Sequence, residues 1–291
     1  MRDAGWQDQR DEDVLAQKPL KGVGTKVHLG TQGWDYPAWV GPFYPPGARP
    51  QEFLSIYTRA FDTVEVDSTY YATPAEHVVR GWAEKVAAGF TFALKLPEDL
   101  SPAGDAAPDP ARLALFCERA RLLGDHLGPV LIQLGAQTGP ERWEAVERFL
   151  AALPQGMRWA VEVRQRAWVG PKLLELLRRH GLALALVEGR WLPRDQMIDL
   201  AIHPTAEFAY VRWIGTGQRL EDVGHVQIDR ERELAVWAMA LAALAARVQS
   251  VYGYFSNQFQ GHAPASARAM QRLIGQKIVE PDNLGAQRTL F

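Results

Sequence analysis

The stretch TVEVDSTYY, residues 63–71, alternates two carboxylates with two valines in a segment typical of a buried strand. Because successive side chains of a strand point to opposite faces, Glu65 and Asp67 share one face and Val64 and Val66 share the other. In a sheet with one wet face, the acids would lie in water. In a closed barrel covered by helices, neither face meets bulk solvent along most of a strand, and the acids would point into the barrel. The rest of the chain decides between these cases.

Seven further segments have the composition of short strands. They are residues 27–34, 91–97, 129–135, 159–165, 182–189, 208–215 and 251–258. Helix-period segments such as 50–61 and 171–181 separate them. This alternation implies parallel strands joined by right-handed crossovers. Eight units in 291 residues predict a single (β/α)8 TIM-type barrel with eight parallel strands, with a doubly wound open sheet as the alternative.

The alternation spans residues 27–275, which we predict to form one barrel domain. Residues 1–26 are polar and predict a disordered N-terminal tail, and residues 276–291 predict a C-terminal extension. The tail has no signal-peptide core, and no apolar run reaches the ~18 residues of a membrane span. We therefore expect a cytoplasmic protein without membrane contact. The sequence does not indicate an oligomeric state.

The composition excludes several classes of function. A formal net charge of −2 gives no overall basic field that would attract nucleic acid or membranes. The single cysteine, Cys117, rules out an internal disulfide framework and a cysteine-rich metal site. The glycines of GVGTKVHLG, residues 22–30, precede a strand instead of following one, so they do not form a dinucleotide-binding turn. No cofactor is evident.

Six motifs give the chain a family resemblance. They are GTQGWDYPAWVGPFYP, TVEVDSTYYATP, FTFALKLP, WAVEVRQRAW, YVRWIG and VYGYFSNQFQGHAPASA. In order and spacing they resemble the YecE-like family, also called domain of unknown function family 72. The resemblance implies a TIM-type barrel and an unsettled activity, with a distant kinship to sugar isomerases suggested on fold grounds. Fold alone does not give chemistry.

The chain departs from that family at three places. Members often carry histidines soon after the third, fifth and seventh strands, where this chain has Pro102, Gln165 and Ile214. If those histidines act as bases or ligands in relatives, this chain has lost or altered that activity.

Charged residues alternate with apolar ones on four of the predicted strands. The inward-facing charges would be Glu65, Asp67, Lys95, Glu162, Arg164 and Arg212. An isolated charge inside a barrel is costly, so these groups must pair, shift their pKa values or meet a ligand. We predict an ion-pair network in which the deeper Glu65 is structural. For the groups closer to the strand ends we favour a functional role; these are Asp67, Lys95, Arg164 and Arg212.

The candidate site is the C-terminal mouth of the barrel, where barrel enzymes place their chemistry. We predict a pocket for a small anionic or polyhydroxy compound, such as a sugar phosphate, with acid–base chemistry by Asp67 and Glu162. Isomerase and hydrolase reactions both stay open, as does a non-catalytic barrel. The predicted substrate-binding residues are Trp34, Tyr36, Lys95, Gln133, Arg164, Arg212 and Asn257. The loops with Gly215, Gly217 and Gly261 follow strands seven and eight, where barrels often bind phosphate.

A metal-dependent alternative would use the same carboxylates. Asp67 and Glu162 could share a hard cation such as Mg²⁺ or Mn²⁺. No histidine lies at a strand end in a ligand-like arrangement, which argues against a zinc site, so we assign no metal-ligating residues and leave Mg²⁺ or Mn²⁺ open as an alternative.

A second alternative is an accessory protein of nucleic-acid metabolism. The last five residues, QRTLF, resemble the short peptide that binds bacterial sliding clamps. Gln287, Leu290 and Phe291 match that peptide, whereas Arg288 replaces its usual leucine. Terminal apolar side chains of this kind dock into pockets of a partner.

Overall fold

The computed structural model describes residues 25–102 and 109–285. Its strands are β1 Lys26–Thr31, β2 Thr63–Val66, β3 Thr91–Lys95, β4 Leu127–Gln133, β5 Trp159–Glu162, β6 Ala183–Gly189, β7 Phe208–Gly215 and β8 Ser250–Phe255. The main helices are α1 Pro50–Tyr57, α2 Glu76–Ala83, α3 Pro110–Arg121, α4 Trp143–Ala151, α5 Pro171–His180, α6 Arg194–Leu200, α7 Glu231–Ala245 and α8 Ala263–Leu273. A one-turn helix, Asn257–Gln260, precedes α8.

The eight strands form one parallel sheet in the order β1-β8-β7-β6-β5-β4-β3-β2. All six residues of β1 pair with β8. A bridge between Gln32 and Glu65, with a 2.8 Å hydrogen bond from Gly33 N to Glu65 O, joins β1 to β2. The two ends of this strand order, β1 and β2, therefore meet and close the barrel. The predicted single (β/α)8 barrel is confirmed, and the open sheet is excluded.

Local sequence signals account for several helix ends. Proline occupies the first turn of α1, α3 and α5, where its missing N–H costs no hydrogen bond. The Oδ1 atom of Asp109 accepts a 2.9 Å hydrogen bond from Ala111 N and so caps α3. Gly181 ends α5 in the left-handed conformation at φ 66°.

The strands separate two apolar layers. The valines of the opening stretch, Val64 and Val66, belong to the outer layer between the sheet and the helices. The inner layer lies within the barrel and includes Ala93, Leu131 and Tyr210. Alternation along the strands therefore sends charges inward and aliphatic side chains toward the helices, as predicted.

The junction of β1 and β2 depends on Gly30 and Tyr57. A Cβ at Gly30 would lie 2.1 Å from Thr63 O, so only glycine permits this approach. The Tyr57 hydroxyl accepts a 2.9 Å hydrogen bond from Thr31 N and donates a 3.0 Å hydrogen bond to Thr63 O. A side chain of α1 thus bridges two strands that share little direct pairing.

The described part of the C-terminal extension, residues 276–285, packs against the barrel. Gln276 Nε2 donates a 2.6 Å hydrogen bond to Val27 O, and Arg59 Nη1 donates one of 2.7 Å to Leu284 O. Leu284 is fully buried. Residues 1–24 of the predicted tail lie outside the described residues.

None of the helices within the described ranges combines the length and apolar character needed to cross a membrane.

Candidate active site at the barrel mouth

Arg212 lies at the centre of a buried ion network. Its Nε and Nη2 atoms donate hydrogen bonds of 2.9 and 2.7 Å to the two carboxylate oxygens of Glu65. Its Nη1 atom donates to Glu162 Oε2. The Tyr210 hydroxyl adds a 2.6 Å hydrogen bond to Glu65 Oε2. These contacts link β2, β5 and β7 across the barrel interior.

Arg164 carries this network toward the mouth. Its Nε atom donates a 3.0 Å hydrogen bond to Glu162 Oε1. The Glu162 side chain is 1% exposed, whereas that of Arg164 is 23% exposed. Arg164 thus lies at the boundary between the closed interior and solvent, with one face of its guanidinium tied to the buried carboxylate.

The surroundings shift the pKa values of the two buried glutamates in opposite directions. Burial raises the pKa of Glu65; the Arg212 guanidinium opposes this shift and the charge of Asp67 adds to it. Burial acts in the same direction on Glu162, but Arg212 and Arg164 outweigh it and hold the pKa of Glu162 below its usual range. Glu162 is therefore a permanent anion at neutral pH.

Lys95 and Asp67 form a second pair, closer to the mouth. Lys95 Nζ lies 3.3 Å from Asp67 Oδ1, and the Asp67 side chain is 37% exposed. The turn that follows β2 positions them, because Thr69 Oγ1 accepts a 2.8 Å hydrogen bond from Lys95 N and donates one of 2.8 Å to Lys95 O. The ammonium also lies 4.3 Å from the centre of the Tyr70 ring, within cation–π range.

Tyr70 connects this pair to β4. Burial and a hydrogen bond with Glu98 raise the pKa of Tyr70 to about 12, while the Arg164 charge and a hydrogen bond with Gln133 oppose the shift. The Tyr70 hydroxyl is thus protonated at neutral pH. It adds a neutral hydrogen-bonding group between Lys95 and Arg164.

Two buried glutamine amides at the mouth are incompletely paired. Gln133 is 6% exposed, and its Oε1 atom has no hydrogen-bond partner within residues 25–102 and 109–285. Gln32 is 7% exposed, and its Nε2 atom likewise has no partner in those ranges. A period of two along β4 places Gln133 on the same inward face as Leu131, and Gln32 shares the face of His28, which stacks on the interior Tyr252.

Several predicted site residues have structural contacts instead. Trp34 packs edge-to-face on Trp82 and Phe92, at ring-centre distances of 5.9 and 6.2 Å, on the helix side of the sheet. Asn257 Oδ1 accepts hydrogen bonds from Trp39 Nε1 at 3.3 Å and from Ala263 N at 3.0 Å. Asn257 therefore joins the loop after β1 to the start of α8.

Tyr36 is half-buried beside the mouth. Its hydroxyl donates a 3.1 Å hydrogen bond to Gln32 O. Burial raises the pKa of Tyr36, and the charges of Asp67 and Glu65 add to the shift, so the hydroxyl stays protonated near these carboxylates. The structure thus brings Tyr36, Asp67, Lys95, Gln133 and Arg164 to one end of the barrel.

The three positions without the family-typical histidines make local packing contacts. Gln165 Nε2 donates a 2.9 Å hydrogen bond to Ala136 O, which links the loops after β5 and β4. Ile214 packs against the inner apolar layer, and Pro102 is buried after β3. None of these three side chains can transfer a proton.

The carboxylates at the mouth contact cationic side chains. Asp67 faces the Lys95 ammonium, and both oxygens of Glu162 accept hydrogen bonds from arginines. In the part of the chain that the structure describes, no group of three or more His, Cys, Asp or Glu residues is placed to hold a metal ion.

Sequence comparison connects the chain to a family. The sequence model described as "Protein of unknown function DUF72" matches residues 28–288. The UPF0759 protein YecE of Escherichia coli (strain K12) is 30% identical over 138 residues, which cover 47% of this chain and 48% of that protein. The chain thus spans about half the length of the curated relatives it matches.

Solved structures share the fold. A DUF72 family protein from Thermotoga maritima is 24% identical, with a TM-score of 0.70 over 86% of this chain and 100% of that chain. One from Enterococcus faecalis V583 is 18% identical, with a TM-score of 0.67 over 88% of this chain and 100% of that chain. D-Psicose 3-epimerase from Clostridium cellulolyticum H10 is 11% identical, with a TM-score of 0.51 over 86% and 96% of the two chains. At these identities the likeness shows the fold alone.

Proposed function

This chain belongs to the DUF72 family of proteins of unknown function, and from that premise we propose that the barrel mouth binds a small polyhydroxy compound on which Asp67 acts as acid–base group. One observation carries this proposal: the unpartnered amide atoms of Gln32 and Gln133, both buried at the mouth. A buried polar atom without a partner costs about 1–3 kcal/mol, and a ligand hydroxyl recovers this cost. Hydroxyl groups both donate and accept, so they satisfy the Gln32 Nε2 donor and the Gln133 Oε1 acceptor.

The two carboxylates nearest the mouth have different roles in this proposal. Glu162 is held as an anion by two arginines and serves to fix Arg164 and Arg212. Asp67 is partly exposed and has Lys95 beside it. A carboxylate in this position accepts a proton from a bound hydroxyl, and the ammonium stabilises the oxyanion that forms. This step is common to isomerase and hydrolase reactions.

The binding test compares two buried glutamines. A screen of sugars, polyols and sugar phosphates measures the unfolding free energy of the wild type, of Gln133→Leu and of Gln271→Leu. Gln271 is also 6% exposed and also has an unpartnered Oε1 atom within the described residues, but it lies on α8. A ligand at a hundred times its dissociation constant should add about 2.7 kcal/mol to the wild type.

We expect Gln133→Leu to lose this gain and Gln271→Leu to keep it. Without ligand, Gln133→Leu should change the unfolding free energy by no more than about 1.5 kcal/mol, because it removes the unsatisfied Oε1 atom together with one hydrogen bond to Tyr70. The absence of any stabilising compound for the wild type, or an equal loss in both variants, contradicts the proposal.

A second proposal concerns the C-terminal residues. Gln287, Leu290 and Phe291 lie outside the described residues, and their resemblance to a clamp-binding peptide supports a contact with a bacterial sliding clamp. The observation in its favour is that Leu284, buried and bound by Arg59, fixes the chain three positions before Gln287. Deletion of residues 287–291 should abolish binding to a purified sliding clamp. Unchanged affinity, or no binding by the full chain, rules this proposal out.

A further inference from the structure

The inner part of the mouth is electrically balanced. Three carboxylates and three cations are joined there by direct contacts, namely Glu65, Asp67 and Glu162 with Lys95, Arg164 and Arg212. Such a set suits uncharged hydroxyl groups. Within this set the positive and negative charges cancel, so an anionic group of the same ligand needs a further cation beside it.

The two loops that often hold a phosphate in a barrel contact each other closely here. Barrels often bind phosphate with the loops after the seventh and eighth strands. Here a Cβ at Gly215 would lie 2.2 Å from Gln258 O, and a Cβ at Gly261 would lie 2.5 Å from His225 O. Gln258 Oε1 also accepts a 2.6 Å hydrogen bond from Leu220 N. The lack of a side chain at Gly215 and Gly261 thus allows these two loops to approach each other closely.

A further cation, Arg190, lies beside Arg164 on the rim formed by the loops after β5 and β6. The guanidinium carbon of Arg190 lies 4.3 Å from the Trp191 ring centre, and that of Arg164 lies 5.5 Å from the same centre. The two guanidinium carbons are therefore no farther apart than these two distances combined. A phosphate group that accepts hydrogen bonds from both guanidinium groups requires a separation within this upper limit.

Arg190 is positioned, although it is exposed. Its side chain stacks on Trp191, and a Cβ at Gly217 would lie only 3.0 Å from its Cδ atom, so the loop after β7 contacts its aliphatic part. No carboxylate in the described ranges forms an ion pair with it. Glu162 compensates the charge of Arg164, so Arg190 is the cation of this rim that stays available to a ligand anion.

We infer that this rim, formed by Arg164, Arg190 and Trp191, binds a phosphate group of the ligand, so that the ligand class is a phosphorylated polyhydroxy compound. The inference rests on the proposed function for the hydroxyl-bearing part of the ligand. A phosphate is favoured over a carboxylate because it presents three acceptor oxygens and close to two negative charges to two separate guanidinium forks. Arginine forks match this geometry better than a lysine would.

The test measures calorimetric binding of four probes: inorganic phosphate, D-fructose 6-phosphate, D-gluconate and D-fructose. The proteins are the wild type, Arg190→Gln, Arg219→Gln and Gln133→Leu. Arg219 is the matched control, because it is also exposed and lies in the loop after β7, and no aromatic ring of the described residues stacks on it. Arg190→Gln should weaken binding of both phosphate compounds about tenfold or more, and Arg219→Gln should leave it unchanged.

The probes separate this inference from the proposed function. Gln133→Leu should weaken D-fructose 6-phosphate and D-fructose but leave inorganic phosphate unaffected. Phosphate binding that depends on Arg190 without any sugar binding would support the rim site and contradict the polyhydroxy pocket. The inference would be overturned if D-fructose 6-phosphate binding were insensitive to Arg190→Gln, or if Arg190→Gln and Arg219→Gln lost equal affinity. It would also be overturned if D-gluconate bound as tightly as D-fructose 6-phosphate, or if inorganic phosphate showed no saturable binding.

Discussion

Arg212 and Glu65 form a two-pronged ion pair inside the barrel, with 2.7 Å between Nη2 and Oε1 and 2.9 Å between Nε and Oε2. Their side chains are 3% and 0% exposed. The arginine comes from β7 and the glutamate from β2, so the pair crosses the barrel interior. Since neither charge reaches water, each depends on the other, and Arg212 also compensates Glu162.

Replacement of the central arginine should destabilise the fold strongly. Arg212→Met leaves Glu65 buried without a cation, and a broken buried pair of this kind costs about 3–5 kcal/mol of unfolding free energy. Urea denaturation measures the loss. Arg232→Met, an exposed change on α7, is the control and should stay within about 0.5 kcal/mol of the wild type. Equal stability of the two variants would contradict the role of Arg212.

The lowered pKa of Glu162 predicts a loss of stability in acid. A carboxyl with a depressed folded-state pKa contributes stability above its unfolded pKa of about 4.3, and this contribution disappears as the pH falls through the folded value. Glu162→Gln should therefore be less stable than the wild type at pH 7. The difference between the two proteins should shrink as the pH falls below about 4.3. Denaturation curves from pH 3 to 7 measure it, and a constant difference would refute the prediction.

His262 should give a separate pH effect. Burial lowers its pKa to about 4, and Nδ1 is hydrogen-bonded to Val223 O at 2.9 Å. The unfolded chain binds a proton near pH 6.5 and the folded chain does not, so stability falls as the pH drops from about 6.5 to about 4. The loss should be about 3 kcal/mol. His262→Gln should lack this slope between pH 6.5 and 4; an identical slope in both proteins would exclude His262 as its source.

Gly30 should be indispensable to the junction of β1 and β2. In Gly30→Ala the new methyl group meets Thr63 O and the Tyr57 hydroxyl, which should cost about 3 kcal/mol. Gly81→Ala on α2 is the opposite control, because a Cβ there meets nothing within 4 Å. It should stabilise the protein by about 0.5–1 kcal/mol. Thermal denaturation compares the two, and a tolerated Gly30→Ala would mean that this junction readily separates.

Asp67 should affect turnover far more than stability. Asp67→Asn keeps the shape of the side chain but removes its basicity, so the turnover of any ligand identified by the binding screen should fall about 10²–10⁴-fold. Its unfolding free energy should change by less than about 1 kcal/mol, because the side chain is partly exposed. Asp35→Asn, at an exposed position of the loop after β1, should retain activity. Full activity of Asp67→Asn would remove Asp67 from the mechanism.

The sequence allowed the barrel and its inward charges to be predicted because both depend on local alternation. In β2, for example, Val64 and Glu65 lie on opposite faces whatever their distant neighbours are. The partners of the charges were not accessible in this way. Glu65 and Arg212 are 147 positions apart, and the contact between these side chains of β2 and β7 across the interior follows only from barrel closure.

The mouth was predicted less completely. Gln32 was missed because it lies just after β1, and the preceding inward position, Gly30, has no side chain and interrupts the alternation. Arg190 and Trp191 were missed because they lie beyond the last residue of β6, where no alternation with apolar residues marks them. Trp34 was expected in the pocket, yet its ring lies against Trp82 and Phe92, a choice set by packing across the sheet.

The unequal pairing of β1 has a consequence for chain connectivity. β1 pairs along its whole length with β8 but has one bridge to β2, and Thr25 before it donates hydrogen bonds of 2.7 and 2.9 Å to Ala245 O and Val248 O, just ahead of β8. Gly47, in the loop between β1 and α1, has open space around it. A circular permutant with new termini at Gly47 would therefore make β1 the final strand of the barrel and preserve its main contacts, so the fold should tolerate this rearranged order.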